Sequence, residues 1–95
     1  MTMKGLSRSS YPRLGIGCRV RNLENGDTML LLPEGLLRLK GTGAEIVRLC
    51  DGEHTFSDII RAMQVQYQSS DPKQIEQEVE SFLNRLQERR AVDFQ

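Results

Sequence analysis

Two turn signals bracket one short apolar run between Glu24 and Leu39, and together they restrict the fold more than any other feature of the chain. Asn25-Gly26 is the pair favoured in tight hairpins, because a type I′ turn needs positive φ at both central positions. Pro33-Glu34-Gly35 interrupts the backbone a second time. Between them Thr28-Met29-Leu30-Leu31-Leu32 is apolar on both faces, the pattern of a central strand covered from both sides. Upstream, Val20 stands between Arg19 and Arg21 in a stretch that alternates as a half-buried strand does, and downstream Leu36-Leu37-Arg38-Leu39 forms another short strand. The expectation is a three-stranded antiparallel meander with its third strand, Leu36 to Lys40, at one edge.

Helical spacing takes over after Lys40. Thr42 and Glu45 stand at capping-box spacing before Ile46, Leu49 and Cys50, with Gly52 as a left-handed stop. Thr55 with Asp58 opens a second helix carrying Phe56, Ile59, Ile60, Met63 and Tyr67. Asp71-Pro72 opens a third, since proline at the first helical position lacks only an N–H that has no partner there. That helix is expected to reach about Arg90, with Ile75, Val79, Phe82, Leu83 and Leu86 on one face and a brief extended stretch after it. The order defines an α+β fold, a three-stranded antiparallel sheet followed by three helices. The last two helices form a helix-turn-helix-like pair with the strands as its wing. Residues 1–16 mix Ser, Gly, Arg and Pro without apolar period and read as a flexible tail, leaving residues 17–95 as the domain.

The length of 95 residues is one domain's worth and excludes a multidomain enzyme. The longest apolar run is far below the ~20 residues of a membrane span, and no signal peptide is legible, so a soluble cytoplasmic protein with no membrane partner is expected. Thirteen basic residues balance thirteen acidic ones, but unevenly along the chain. Lys4, Arg8, Arg13, Arg19 and Arg21 all precede the first acid, Glu24, so the remainder is net acidic. Cys18 and Cys50 are too far apart in sequence for a metal-ligand pair; two reduced thiols or a disulfide both fit.

The chemistry of catalysis is missing from the pattern. The single histidine, His54, stands in a polar turn, and no nucleophile elbow, phosphate loop, dinucleotide fingerprint or metal-ligand cluster accompanies it, so no enzyme activity, cofactor or metal is expected. Glu76, Glu78 and Glu80 do not form a site, since residues two apart on a helix face different directions. They also oppose nucleic acid as a partner, because the third helix would present glutamates to phosphate with only Lys73 to offset them. What remains is a surface. Edge strand Leu36 to Lys40 beside a long amphipathic helix meets the requirements for capturing an extended peptide by strand addition. The alternative is that Leu37 and Leu39 face the core and Arg38 and Lys40 blunt the edge.

Pro33-Glu34-Gly35, the following Leu36-Leu37-Arg38-Leu39 strand, and the stretch from Thr42 through Asp51-Gly52 resemble the signature of the pyrroloquinoline quinone (PQQ) biosynthesis protein D family. Pro12-Arg13-Leu14 and Gly17-Cys18-Arg19-Val20-Arg21 resemble the family's approach to its first strand; Lys40 stands where relatives often carry Asn or Asp. The resemblance implies a non-catalytic, winged-helix-like recognition domain for a ribosomally made precursor peptide (PqqA-like). Such a domain presents the peptide to a radical S-adenosylmethionine (SAM) enzyme (PqqE-like) that cross-links a Glu and a Tyr of the peptide. On this reading the peptide adds beside Leu36, Leu37, Arg38, Leu39 and Lys40 and lays apolar side chains against Val79, Phe82, Leu83 and Leu86. Arg13, Arg19 and Arg21 are candidates for contacting an acidic patch on a partner. Two rivals stay open: a winged-helix DNA-binding domain, and a module that self-associates through the same edge, so that the protein is either a monomer or an edge-mediated homodimer.

Overall fold

The computed structural model describes residues 5–94. Among them the elements run β1 (Pro12–Leu14), β2 (Arg19–Asn22), β3 (Thr28–Leu32), β4 (Gly35–Leu39), α1 (Thr42–Arg48), α2 (Phe56–Gln66), α3 (Pro72–Glu88) and β5 (Val92–Phe94). The meander is present in the order β2-β3-β4, all antiparallel, with Arg19 opposite Leu31 and Leu32 opposite Gly35. Its first turn differs from the type I′ expectation, because only Gly26 has positive φ (92°). The Gly26 amide donates to the Leu23 carbonyl at 3.0 Å and the Leu23 amide to that of Asp27 at 2.8 Å. This is a three-residue loop in which glycine alone takes the left-handed position.

The strand covered from both faces is covered from one. Thr28, Leu30 and Leu32 are buried, whereas Met29 and Leu31 on the opposite face are only half-buried and lie outside the core. That core is closed by Ile46 and Val47 of α1, Ile59 and Met63 of α2, and Val79 and Leu83 of α3. Burial of these aliphatic side chains is the main favourable term available to so short a chain.

The helix starts separate local chemistry from tertiary chemistry. Thr55 and Asp58 form the full capping box of α2: the Asp58 amide donates to Thr55 Oγ1 at 3.0 Å and the Thr55 amide to Asp58 Oδ2 at 2.9 Å. Asp71 caps α3 by accepting from the Lys73 amide at 3.0 Å, with Pro72 at the first helical position. The box expected at Thr42 and Glu45 does not form. Gly41, with φ 54°, is the N-cap of α1, Thr42 is already helical, and no side chain caps the helix. The Glu45 carboxylate instead accepts from Gln66 Nε2 at 2.6 Å and from the Tyr67 hydroxyl at 2.9 Å, which ties α1 to the end of α2.

The flexible tail expected over residues 1–16 lies outside the described residues only at 1–4; much of the rest is built into the fold. Pro12–Leu14 pairs antiparallel with Val92–Phe94, converting the expected extended end of the chain into half of a second, two-stranded sheet. The Phe56 amide donates to the Ser10 carbonyl at 2.8 Å, and the Gly15 amide to that of Ala91 at 2.8 Å. These bonds satisfy backbone groups at the start of α2 and after α3, and Ser10 and Pro12 are buried in the same region.

Candidate functional site

β4 pairs with β3 on one side only, so its other side is an open edge among the described residues. The two-residue turn Pro33-Glu34 makes Leu32 and Gly35 a hydrogen-bonded pair. Antiparallel alternation then gives Leu37 and Leu39 to the β3 ladder and turns the N–H and C=O of Leu36 and Arg38 outward. The side chains alternate as well. Leu39 is buried and Leu37 half-buried against the core, while Leu36 is 60% exposed and Arg38 is exposed. Both sequence readings of this strand therefore describe part of it: the leucines at 37 and 39 face inward, and the backbone edge stays open. Arg38 blunts that edge only weakly, its Nε standing 3.8 Å from Asp27 Oδ2 in an exposed pair. Lys40 is exposed immediately beyond the strand.

α3 brings one of its four candidate residues to the surface. Val79, Leu83 and Leu86 are buried in the core, whereas Phe82 is half-buried. Its ring packs on the start of α1, where a Cβ added to Gly43 would lie 3.2 Å from Phe82 Cζ. The absent side chain at Gly43 thus lets the aromatic ring approach the backbone two residues past the Lys40-Gly41 link. Beside this contact a groove of about 680 Å³ opens between α1, the end of α2 and α3, lined by Thr42, Ile46, Tyr67, Glu78, Phe82 and Arg85. Tyr67, whose value is raised by its hydrogen bond to the Glu45 carboxylate, stays a neutral donor on the groove wall.

The three N-terminal arginines are not brought together. Arg13 lies in the two-stranded sheet opposite Asp93, its aliphatic stem over Gly52. Arg19 and Arg21 lie on the outer face of the meander with Arg38. Sequence reasoning missed that Arg38 belongs with them; the strand alternation carried the signal, but the register across β3 had to be known.

The single histidine is engaged in a local turn. His54 Nδ1 lies 2.9 Å from Asp51 Oδ2, and Asp51 also accepts from the Glu53 and His54 amides at 2.8 and 3.1 Å. That geometry closes a turn before α2. Among the described residues no three His, Cys, Asp or Glu side chains converge as metal ligands. Cys18 and Cys50 are both free thiols, and burial followed by the nearby Asp51 charge pushes Cys50 up to about 12. No helix among the described residues is long and apolar enough to cross a membrane.

An α+β domain with an open strand edge beside a helix-walled groove has the features that small peptide-recognition domains use. The solution NMR structure of the PqqD truncation of Methylobacterium extorquens PqqCD matches it with a TM-score of 0.76 and 31% identity. The match covers 94% of this chain and 95% of that one, and that protein is described as a functional, stand-alone recognition element for ribosomally synthesised and post-translationally modified peptides. The chain belongs to the coenzyme PQQ synthesis protein D (PqqD) family, whose model matches residues 27–92. It is also 38% identical over 42 residues to the PqqA binding protein of Methylococcus capsulatus, a match spanning 44% of this chain and 45% of that relative's length.

Proposed function

We propose that this protein is a non-catalytic adaptor of PQQ biosynthesis: it binds the PqqA-like precursor peptide as an added strand on β4 and presents it to the PqqE-like radical SAM enzyme. The observation that carries the reading is the outward pair of backbone positions, Leu36 and Arg38, two residues before the link to the Phe82-lined groove. Two residues offer two donors and two acceptors. Four hydrogen bonds at about 0.5–1.5 kcal/mol net each amount to roughly 2–6 kcal/mol. A micromolar complex needs about 8 kcal/mol, and association itself costs about 4 kcal/mol or more. Strand pairing alone is insufficient, so apolar side chains of the peptide must be anchored, with Leu36 on the outer face of β4 and Phe82 beside the start of α1 as the accessible apolar surface. Val79, Leu83 and Leu86 serve this site from behind, by fixing α3.

Titration of the isotope-labelled protein with the precursor peptide, followed by amide NMR, tests the reading. Shifts at Leu36, Arg38, Gly43 and Phe82 are expected; an unperturbed β4 sinks strand addition. Self-association through the same edge is the second reading, favoured by the exposure of Leu36 at an unpaired strand. Light scattering over a concentration series separates them, because an edge-mediated dimer would dissociate on addition of peptide. Duplex DNA is disfavoured by Glu78 and Glu80, which are exposed on α3.

A further inference from the structure

The outer face of the meander is not explained by peptide capture at the edge. The strand register lays two rows across it: Arg19, Leu31 and Leu36, then Arg21, Met29 and Arg38. The three aliphatic side chains lie outside the core cluster, and Leu36 is 60% exposed. Arg19 and Arg21 are exposed and form no side-chain hydrogen bond or ion pair with any described residue, while Arg38 meets only Asp27 at 3.8 Å. A central apolar strip flanked by guanidinium groups, two of them unpaired, is the composition of a protein interface, in which arginine and methionine are enriched. Guanidinium groups favour carboxylates as bidentate partners.

We propose that this face docks a surface of the peptide-modifying enzyme on which carboxylates surround aliphatic side chains, leaving the β4 edge free for the peptide. The inference rests on the adaptor reading above, since it assigns that enzyme its docking place. Charge complementarity selects the occupant. A second copy packed face to face would set arginine against arginine, and single-stranded nucleic acid would find no aromatic side chain to stack on among the six residues. Leu36 and Arg38 belong to both the face and the edge, so the docked enzyme would lie directly against the added strand. One sheet then holds substrate and enzyme side by side.

The test is calorimetric titration with the radical SAM enzyme and, separately, with the precursor peptide, for the wild type, R19E/R21E and R19Q/R21Q. Both substitutions lie on β2, away from the peptide edge. Enzyme affinity is expected to fall at least about tenfold in R19E/R21E, less in R19Q/R21Q, and to weaken with added salt in the wild type, with peptide affinity unchanged. Unchanged enzyme affinity in both variants, or absence of enzyme binding by the wild type, overturns the docking face. So does arginine-dependent binding of a fluorescent single-stranded oligonucleotide, which would assign the face to nucleic acid. Failure of the wild type to bind peptide would instead overturn the adaptor reading, so the two failures are distinguishable.

Discussion

Proline at position 36 isolates the backbone contribution to peptide capture. The Leu36 amide points away from β3, so Leu36→Pro removes a donor that has no role in the sheet. Edge strands tolerate proline at such positions, and the preceding residue, Gly35, is free of the Cβ that proline would crowd. In the complex a peptide carbonyl loses its partner while shielded from water, at about 1–3 kcal/mol, or roughly 5- to 150-fold in Kd. The side chain at 36 changes too, so the reference is Leu36→Ala, which keeps the amide. Leu37→Pro is the opposing control. Its amide belongs to the hydrogen-bonded pair with Leu30, so proline there removes a ladder bond under a core side chain and unfolds or severely destabilises the domain. Calorimetry gives Kd and circular dichroism the fold. Equal peptide affinity for folded L36P and L36A would refute strand addition, and a stable L37P would refute the register from which the outward positions are derived.

Leu83→Ala and Phe82→Ala should separate core from groove. Leu83 is 0% exposed, so its truncation is expected to cost about 2–5 kcal/mol in urea unfolding, whereas Phe82→Ala loses less stability and more peptide affinity. Thr55→Ala removes the side-chain half of the α2 capping box and should cost about 1 kcal/mol by the same measurement. The carboxyls around this cap should contribute to the acid dependence of stability. Burial raises Asp51, but hydrogen bonds from the Glu53 amide and from His54 outweigh it, and the Thr55 backbone and side chain lower Asp58. Their stabilisation is therefore present above the ordinary Asp value of about 3.9 and lost as pH falls through the depressed folded values, and Asp58→Asn should remove its share of that slope. Thiol labelling at neutral pH should modify Cys18 well before Cys50, whose thiol is buried and pushed up to about 12; equal rates would contradict the burial.

Much of the fold was legible because its signals are local. The turns at Gly26 and Pro33-Glu34, the Thr55–Asp58 box and the Asp71-Pro72 start each depend on residues within a few positions, and each produces the element expected from it. The stripe Val79, Phe82, Leu83 and Leu86 was also legible as one helix face. Spacing along a single helix does not say which member of a stripe lies at its rim; that followed from Phe82 meeting Gly43 of α1. β1 was missed because a three-residue strand exists only through its pairing with β5 at the far end of the chain. The cap at Thr42 failed for a related reason, since Glu45 finds Gln66 and Tyr67, partners that sequence spacing does not bring near.

The sequence by itself determined a three-stranded meander followed by three helices, because turn geometry, capping and apolar period act over one or two turns of backbone. Only the tertiary structure decided which atoms of β4 face outward, which residue of α3 reaches the groove, and that Arg19 and Arg21 join Arg38 while Arg13 does not. Those are matters of register and packing between distant segments, and they are set by burial of the common core rather than by any residue's neighbours in the chain.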